Sequence, residues 1–199
     1  MQATSFASEL STYLGRIQQF DRRDWGVYIA WVGLMVGLTL ALASFLLLMT
    51  ARGALLPLEA WLIPMGAATF TSAIAVDTIG HRTVYKESLK RAEGFVHQIT
   101  IACGVASCVL LCAAYSHRGL ALIPATVFSL LSFVYSLVDE GFHWHRYWTG
   151  ASDRVEMWSH VFILVGHGTM IGAWWLWCAR GYPGLAQVLG GSCLSARCF

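Results

Sequence analysis

The chain of 199 residues is 57% hydrophobic and 13% aromatic, with only 12% charged residues and a formal net charge of +2. Soluble domains carry about 25% charged residues, so this composition excludes an ordinary soluble domain and makes the lipid bilayer the first expected partner. So small a net charge gives nucleic acid no electrostatic footprint, and no nucleic-acid partner is expected.

Residues 1–24 are polar and amphipathic, with Phe6, Leu10, Leu14 and Ile17 at helical spacing. They predict a short interfacial helix rather than a cleavable signal, a partly ordered tail being the alternative. The first span is expected over about 25–49, without an ionisable residue after its first turn, and its Gly33-x3-Gly37 would allow close helix packing. After a loop with Arg52 and Pro57, the second span covers about 58–76 and ends at Asp77. Residues 78–92 are charged and polar. The third span is expected over about 93–115, with Cys103, Cys108 and Cys112 as small packing residues. The fourth covers about 120–142, the stretch from His143 to Arg154 turns the chain, and the fifth covers about 155–179. A Gly-rich tail follows over 181–199, where Cys193 and Cys198 either pair as a disulfide or stay free.

The predicted fold is therefore all-α: a polytopic membrane protein with five transmembrane helices in one membrane domain over 25–180. Spans two to five form a bundle from two repeated helical hairpins, about 58–115 and 120–179. With the N-terminus in the cytoplasm, nine of the 13 Lys and Arg residues lie inside and four outside, which favours N-in and C-out in a bacterial inner membrane.

The repeat carries the chemistry. Asp77-x3-His81 with Arg82 precedes Glu93-x3-His97, and Asp139-x3-His143 with Arg146 precedes Glu156-x3-His160. The matching residues lie 62 or 63 positions apart, as a one-residue loop insertion between two copies would give. In a helix, residues i and i+4 share a face, so each pair sets a carboxylate beside an imidazole. The topology brings all four pairs to the cytoplasmic end of the bundle. Glu140 is an alternative carboxylate, since Glu140-x2-His143 has the Glu-x-x-His spacing of di-iron bundles. His167 lies seven residues past His160, on the same face and about 10 Å deeper.

Blander roles are available to several of these residues. Asp153 and Glu156 are spaced as a capping box, and Glu93 could serve a helix N-terminus. Asp77 and Asp139 could pair with Arg82 and Arg146, His145 is expected in a loop, and His117 at the far end is expected to be solvated. The repetition of the same residue types favours metal ligation. The mixed nitrogen and oxygen ligands suit two metal ions, iron first, with copper, manganese or zinc as alternatives.

Asp77, His81 and His97 also resemble a repeated Asp-x3-His followed by a later His in the C subunits of copper membrane monooxygenases. The resemblance covers that one motif, and the chain lengths differ. The chain lacks both the clustered His-x-x-His-His boxes of membrane desaturases and the ligand arrangement of carboxylate-bridged di-iron bundles.

The leading expectation is an oxidoreductase that uses O2 on a hydrophobic or lipid-like substrate, supplied by an electron donor or a partner membrane subunit. Tyr85, Phe95, Phe142, Trp144, Tyr147, Trp148 and Trp158 would shape its pocket or form an interfacial belt. A metal-ion transporter, or a metal-binding subunit of a larger complex, is the alternative, with Ser129, Ser132 and Ser136 as a polar path. A haem cytochrome with His97 and His160 as axial ligands ranks last, because it leaves the carboxylates without a role.

Overall fold

The computed structural model describes residues 5–84, 91–150 and 152–189. A short helix α1 (Phe6–Gly15) precedes five helices long and apolar enough to cross a membrane. These are α2 (Arg22–Ala51), α3 (Leu58–Thr83), α4 (Arg91–Ala113), α5 (Arg118–Trp148) and α6 (Arg154–Ala179), and α7 (Leu185–Leu189) closes the described chain. The protein is an all-α, five-helix membrane-spanning bundle.

Local chemistry moves three helix ends away from the sequence expectation. α2 starts at Arg22, three residues early, because Asp21 caps it: its side chain accepts from the amides of Arg23 and Asp24, and Asp24 reaches back to the Asp21 amide. α3 continues past Asp77 to Thr83, so His81 and Arg82 stand on the helix itself. α5 continues through His143, His145 and Arg146 to Trp148, since this stretch has neither Gly nor Pro, and it stops before Gly150 at φ +73°. His145 is therefore helical and exposed rather than in a loop.

α3 packs most extensively on α6, and α4 on α5, while α5 meets α6 over a smaller area. Among the described residues, α3 and α4 hardly touch, so the chain neighbours of the first expected hairpin are not packing neighbours. The α3–α6 crossing is a backbone-to-backbone contact. A Cβ on Gly66 would stand 2.5 Å from the Met170 amide nitrogen, and one on Gly166 would stand 2.5 Å from that of Phe70. Only glycine permits this approach. Gly33 and Gly37 do not make the close contact their spacing suggested, since an added Cβ there meets nothing within 4 Å.

Among the described residues, α2 packs chiefly on α3, through Thr39 and Thr71 with hydroxyls 3.1 Å apart and through Asp24, which accepts from Arg82 Nε at 2.8 Å. The N-terminal helix is docked rather than loose. Tyr13 is buried, Arg16 Nη1 donates to Asp153 at 2.7 Å, and Arg154 Nε donates to Glu9 at 2.8 Å. At the opposite end, the segment after α6 folds back: Tyr182 is buried and donates to the Leu111 carbonyl, and Trp177 Nε1 donates to the Pro183 carbonyl. Cys193 and Cys198 lie outside the described residues.

Candidate metal centre

The C-terminal ends of α3 and α5 meet the N-terminal ends of α4 and α6 at one end of the bundle. There the helices bury Asp77, Asp139, Glu140, His143, Glu156 and His160, each no more than 7% exposed. Ionisable groups at such a depth persist only when they are paired or bind ions.

His160 is the hub. Its Nε2 lies 3.0 Å from Asp77 Oδ1 on α3, and its Nδ1 lies 3.2 Å from Glu140 Oε1 on α5. His143 stacks on it with ring centroids 3.4 Å apart, and His143 Nδ1 lies 2.9 Å from Glu156 Oε1 on α6. Arg146 Nη1 donates to that same Glu156 oxygen at 3.1 Å. On the other side, His81 Nε2 sits 3.3 Å from Asp77 Oδ2, one turn back on α3. His97 Nδ1 lies 3.2 Å from Asp139 Oδ2, with its ring 6.0 Å from that of His81.

His81, His143 and His160 each offer one ring nitrogen, and these three atoms lie within 4.8 Å of one another. That is close enough for one ion to recruit all three. Two carboxylate oxygens beside them, Asp139 Oδ1 and Glu140 Oε2, are buried without a hydrogen-bond partner among the described residues. An oxygen so placed is costly unless it meets a proton or a cation. The chemistry of the donor set therefore fits a metal.

Several simpler roles do not hold. Asp153 makes no side-chain cap to α6, and Glu156 is fully buried against His143 and Arg146, so the capping box is absent. Arg82 turns to Asp24, and Asp77 is left to His81 and His160. Glu140 reaches across to His160 on α6 rather than to His143 on its own helix. Glu93 lies in the first turn of α4, and its side chain is outside the described residues. His117 is exposed at the far end of the bundle.

His167 is buried apart from this group. Its ring stacks on Phe133 with centroids 4.6 Å apart, and its Nε2 is 3.4 Å from Ser132 Oγ. Two serines of the α5 stripe are packed: Ser132 donates to the Ser129 carbonyl at 2.8 Å, and Ser129 Oγ accepts from Trp175 Nε1 at 2.9 Å, while Ser136 lines a cavity.

Between α3 and α4, where the two helices part, lies a cavity of about 460 Å³ covered from outside by α2. His97, Asp139, Ser136 and His167 give it polar points, and the rest of its wall is almost entirely apolar. Its aromatic residues are Trp31, Phe45, Phe70 and Trp174, which the sequence reading did not single out. Of the aromatics it did single out, Phe95, Trp148 and Trp158 are exposed, as a belt facing lipid and headgroups would be, and Tyr85 lies outside the described residues. α2 carries no repeat motif, so nothing in its sequence marked it as the outer wall.

The chain matches no known family model, no curated protein and no solved structure. Its class rests on the geometry alone: a membrane-spanning helical bundle with a buried, histidine-rich cluster suited to hold a metal ion.

Proposed function

We propose that the protein is a membrane metalloenzyme with a dinuclear histidine and carboxylate centre that oxidises a hydrophobic substrate with O2. The observation that carries this reading is the buried donor set itself, four carboxylates and three imidazoles converging at one end of the bundle. Asp77, Asp139, Glu140 and Glu156 are buried together, and among the described residues Arg146 is the guanidinium that joins them. Carboxylates buried in a site of low dielectric need positive charge beside them, which protonated imidazoles supply in the metal-free protein and two divalent ions would supply in the loaded one. His81, His143 and His160 form one set of nitrogen donors, and His97 with Asp139 stands at the edge facing the cavity.

Iron is the favoured metal and copper, manganese or zinc the alternatives, because imidazole and carboxylate suit all four and no cysteine is among the ligands. Such a pair, when bound, supplies O2 activation. The chain's own residues hold and orient the donors, and the surrounding helices keep water from the centre. Inserting one oxygen atom into a C–H bond while reducing the other to water takes up two electrons and two protons, so an electron donor or a partner subunit is required. The excess of basic residues at this end supports a cytoplasmic location for the centre. The repeat is part of the same proposal: if α3 corresponds to α5 and α4 to α6, the extensive α3–α6 and α4–α5 contacts map onto one another.

The transporter reading is weaker because Ser129 and Ser132 are held in hydrogen bonds and the far end is filled by α7 and its contacts. Haem ligation would leave the four buried carboxylates without a role. Metal analysis of purified protein with its optical spectrum tests the proposal. Two irons per chain without a Soret band are expected; a Soret band, or a preparation that binds no metal on reconstitution, would overturn it.

A further inference from the structure

The cavity beside the centre has a shape, and the shape restricts what can occupy it. On α4 its wall runs from His97 through Gly104 and Cys108 to Cys112, which share one helical face. At about 1.5 Å per residue this stripe is roughly 22 Å long. On α2 the wall runs from Trp31 to Phe45, a parallel stripe of roughly 21 Å. The cavity is thus a slot along the bundle. A volume of about 460 Å³ drawn out over roughly 22 Å makes a cavity much longer than it is wide, the proportions of an extended alkyl chain.

The slot also has an opening. Leu38 and Phe45 on α2 and Val105 and Val109 on α4 line it and are 40–62% exposed on the lipid-facing surface. Among the described residues, α2 leans on α3 and hardly touches α4, so the seam between α2 and α4 communicates with the bilayer core. One end is chemically different from the rest. His97 and Asp139 stand there, Asp139 being 7% exposed with an Oδ1 that lacks a hydrogen-bond partner among the described residues.

We infer that the slot binds a single linear hydrocarbon chain, such as a fatty acyl or alkyl lipid, which enters sideways between α2 and α4 with one end at His97 and Asp139. A helix from a partner or a second copy is about 10 Å across and does not fit a slot this narrow. A fused-ring lipid is broader than one extended chain and is the competing occupant that the test separates. That the end at His97 is the one oxidised rests on the proposed metal centre; the binding of the chain does not.

Gly104 provides the test, because it faces the middle of the slot and a Cβ added there meets nothing within 4 Å. Gly104→Phe fills the slot without straining the helix contacts, and Gly104→Leu is a milder version should the first fail to accumulate. Gly172→Leu, also free of contacts but away from the slot, is the control. The probe is a 16-carbon fatty acid with a photoreactive diazirine at its methyl end, crosslinked to purified protein and mapped by mass spectrometry. Labelling is expected on the slot faces of α2 and α4, competed by unlabelled palmitate and not by a sterol. It is expected to fall at least tenfold in Gly104→Phe and to stay unchanged in Gly172→Leu. Equal labelling of Gly104→Phe and the unmodified protein would overturn the inference, as would labelling spread over lipid-facing Leu120, Ile123 and Leu130 of α5. Competition by the sterol would do the same. Metal content read on the same samples separates the two proposals: labelled slots in protein that binds no metal would retain the lipid site and remove the oxidation.

Discussion

His160 on α6 meets Asp77 of α3 through one nitrogen and Glu140 of α5 through the other, so one imidazole ties three helices at the level of the centre. Its loss removes a donor and leaves two carboxylates facing each other. His160→Ala is therefore expected to lower bound metal at least tenfold and to destabilise the fold by about 3–5 kcal/mol, the usual cost of breaking a buried charged pair. Metal analysis and a thermal melt in detergent read the two effects. His81→Ala and His143→Ala should also lose most of the metal, whereas His117→Ala and His145→Ala, both exposed and outside the donor set, should retain it. Glu140→Gln has a more discriminating outcome. Its Oε1 faces His160 Nδ1, and its Oε2 has no hydrogen-bond partner among the described residues and is open to a cation. The amide keeps an oxygen for His160 and cannot balance a cation, so it should lower metal content and leave the melting temperature of the metal-free form nearly unchanged. A fall in that temperature would mean that the carboxylate serves the fold rather than an ion.

At the scale of the helices, the α3–α6 crossing sets the register that brings Asp77 to His160. The crossing depends on Gly66 and Gly166, where backbones approach too closely for any side chain. Gly66→Ala or Gly166→Ala is expected to destabilise the protein by about 1–3 kcal/mol, the typical cost of overpacking. Each should also weaken metal binding without touching a ligand, by moving α6 relative to α3. Gly37→Ala in α2 has open space around it and a better helix former in place of glycine, so its melting temperature should hold or rise slightly. The same measurement on the three variants distinguishes a small-residue pattern that packs from one that merely occurs.

For the whole molecule, the placement of basic residues predicts that the centre opens to the cytoplasm. Cysteine introduced at Ser152, in the loop beside the centre, should be labelled by an impermeant reagent only after the membrane is opened, and cysteine at Gly119 should be labelled in intact cells. The reverse pattern would put the centre on the outer side and exclude a cytoplasmic electron donor. The docked α1 belongs to this scale as well. Its Glu9 and the neighbouring Arg16 hold Arg154 and Asp153 at the start of α6, so deleting residues 1–19 should loosen the end of the bundle that carries the ligands and reduce metal retention.

The sequence by itself determined the five spans and the common level of the repeated carboxylates and imidazoles, because apolar length and the spacing of four residues are local properties of a helix. It also marked Asp77, His81, His143 and His160 through their recurrence. Partner choice was not legible. Glu140 and Glu156 each find a histidine on the other helix of their pair, and Arg82 leaves Asp77 for Asp24, because those contacts depend on helix rotation and crossing. Rotation is fixed by backbone approach at Gly66 and Gly166, residues that are not part of the motif. The cavity is likewise a tertiary product: it exists because α3 and α4 stand apart and α2, which has no repeat and no ligand, covers the gap. Spacing along one helix fixes which side chains share a face, and only the packing of several helices decides what that face meets.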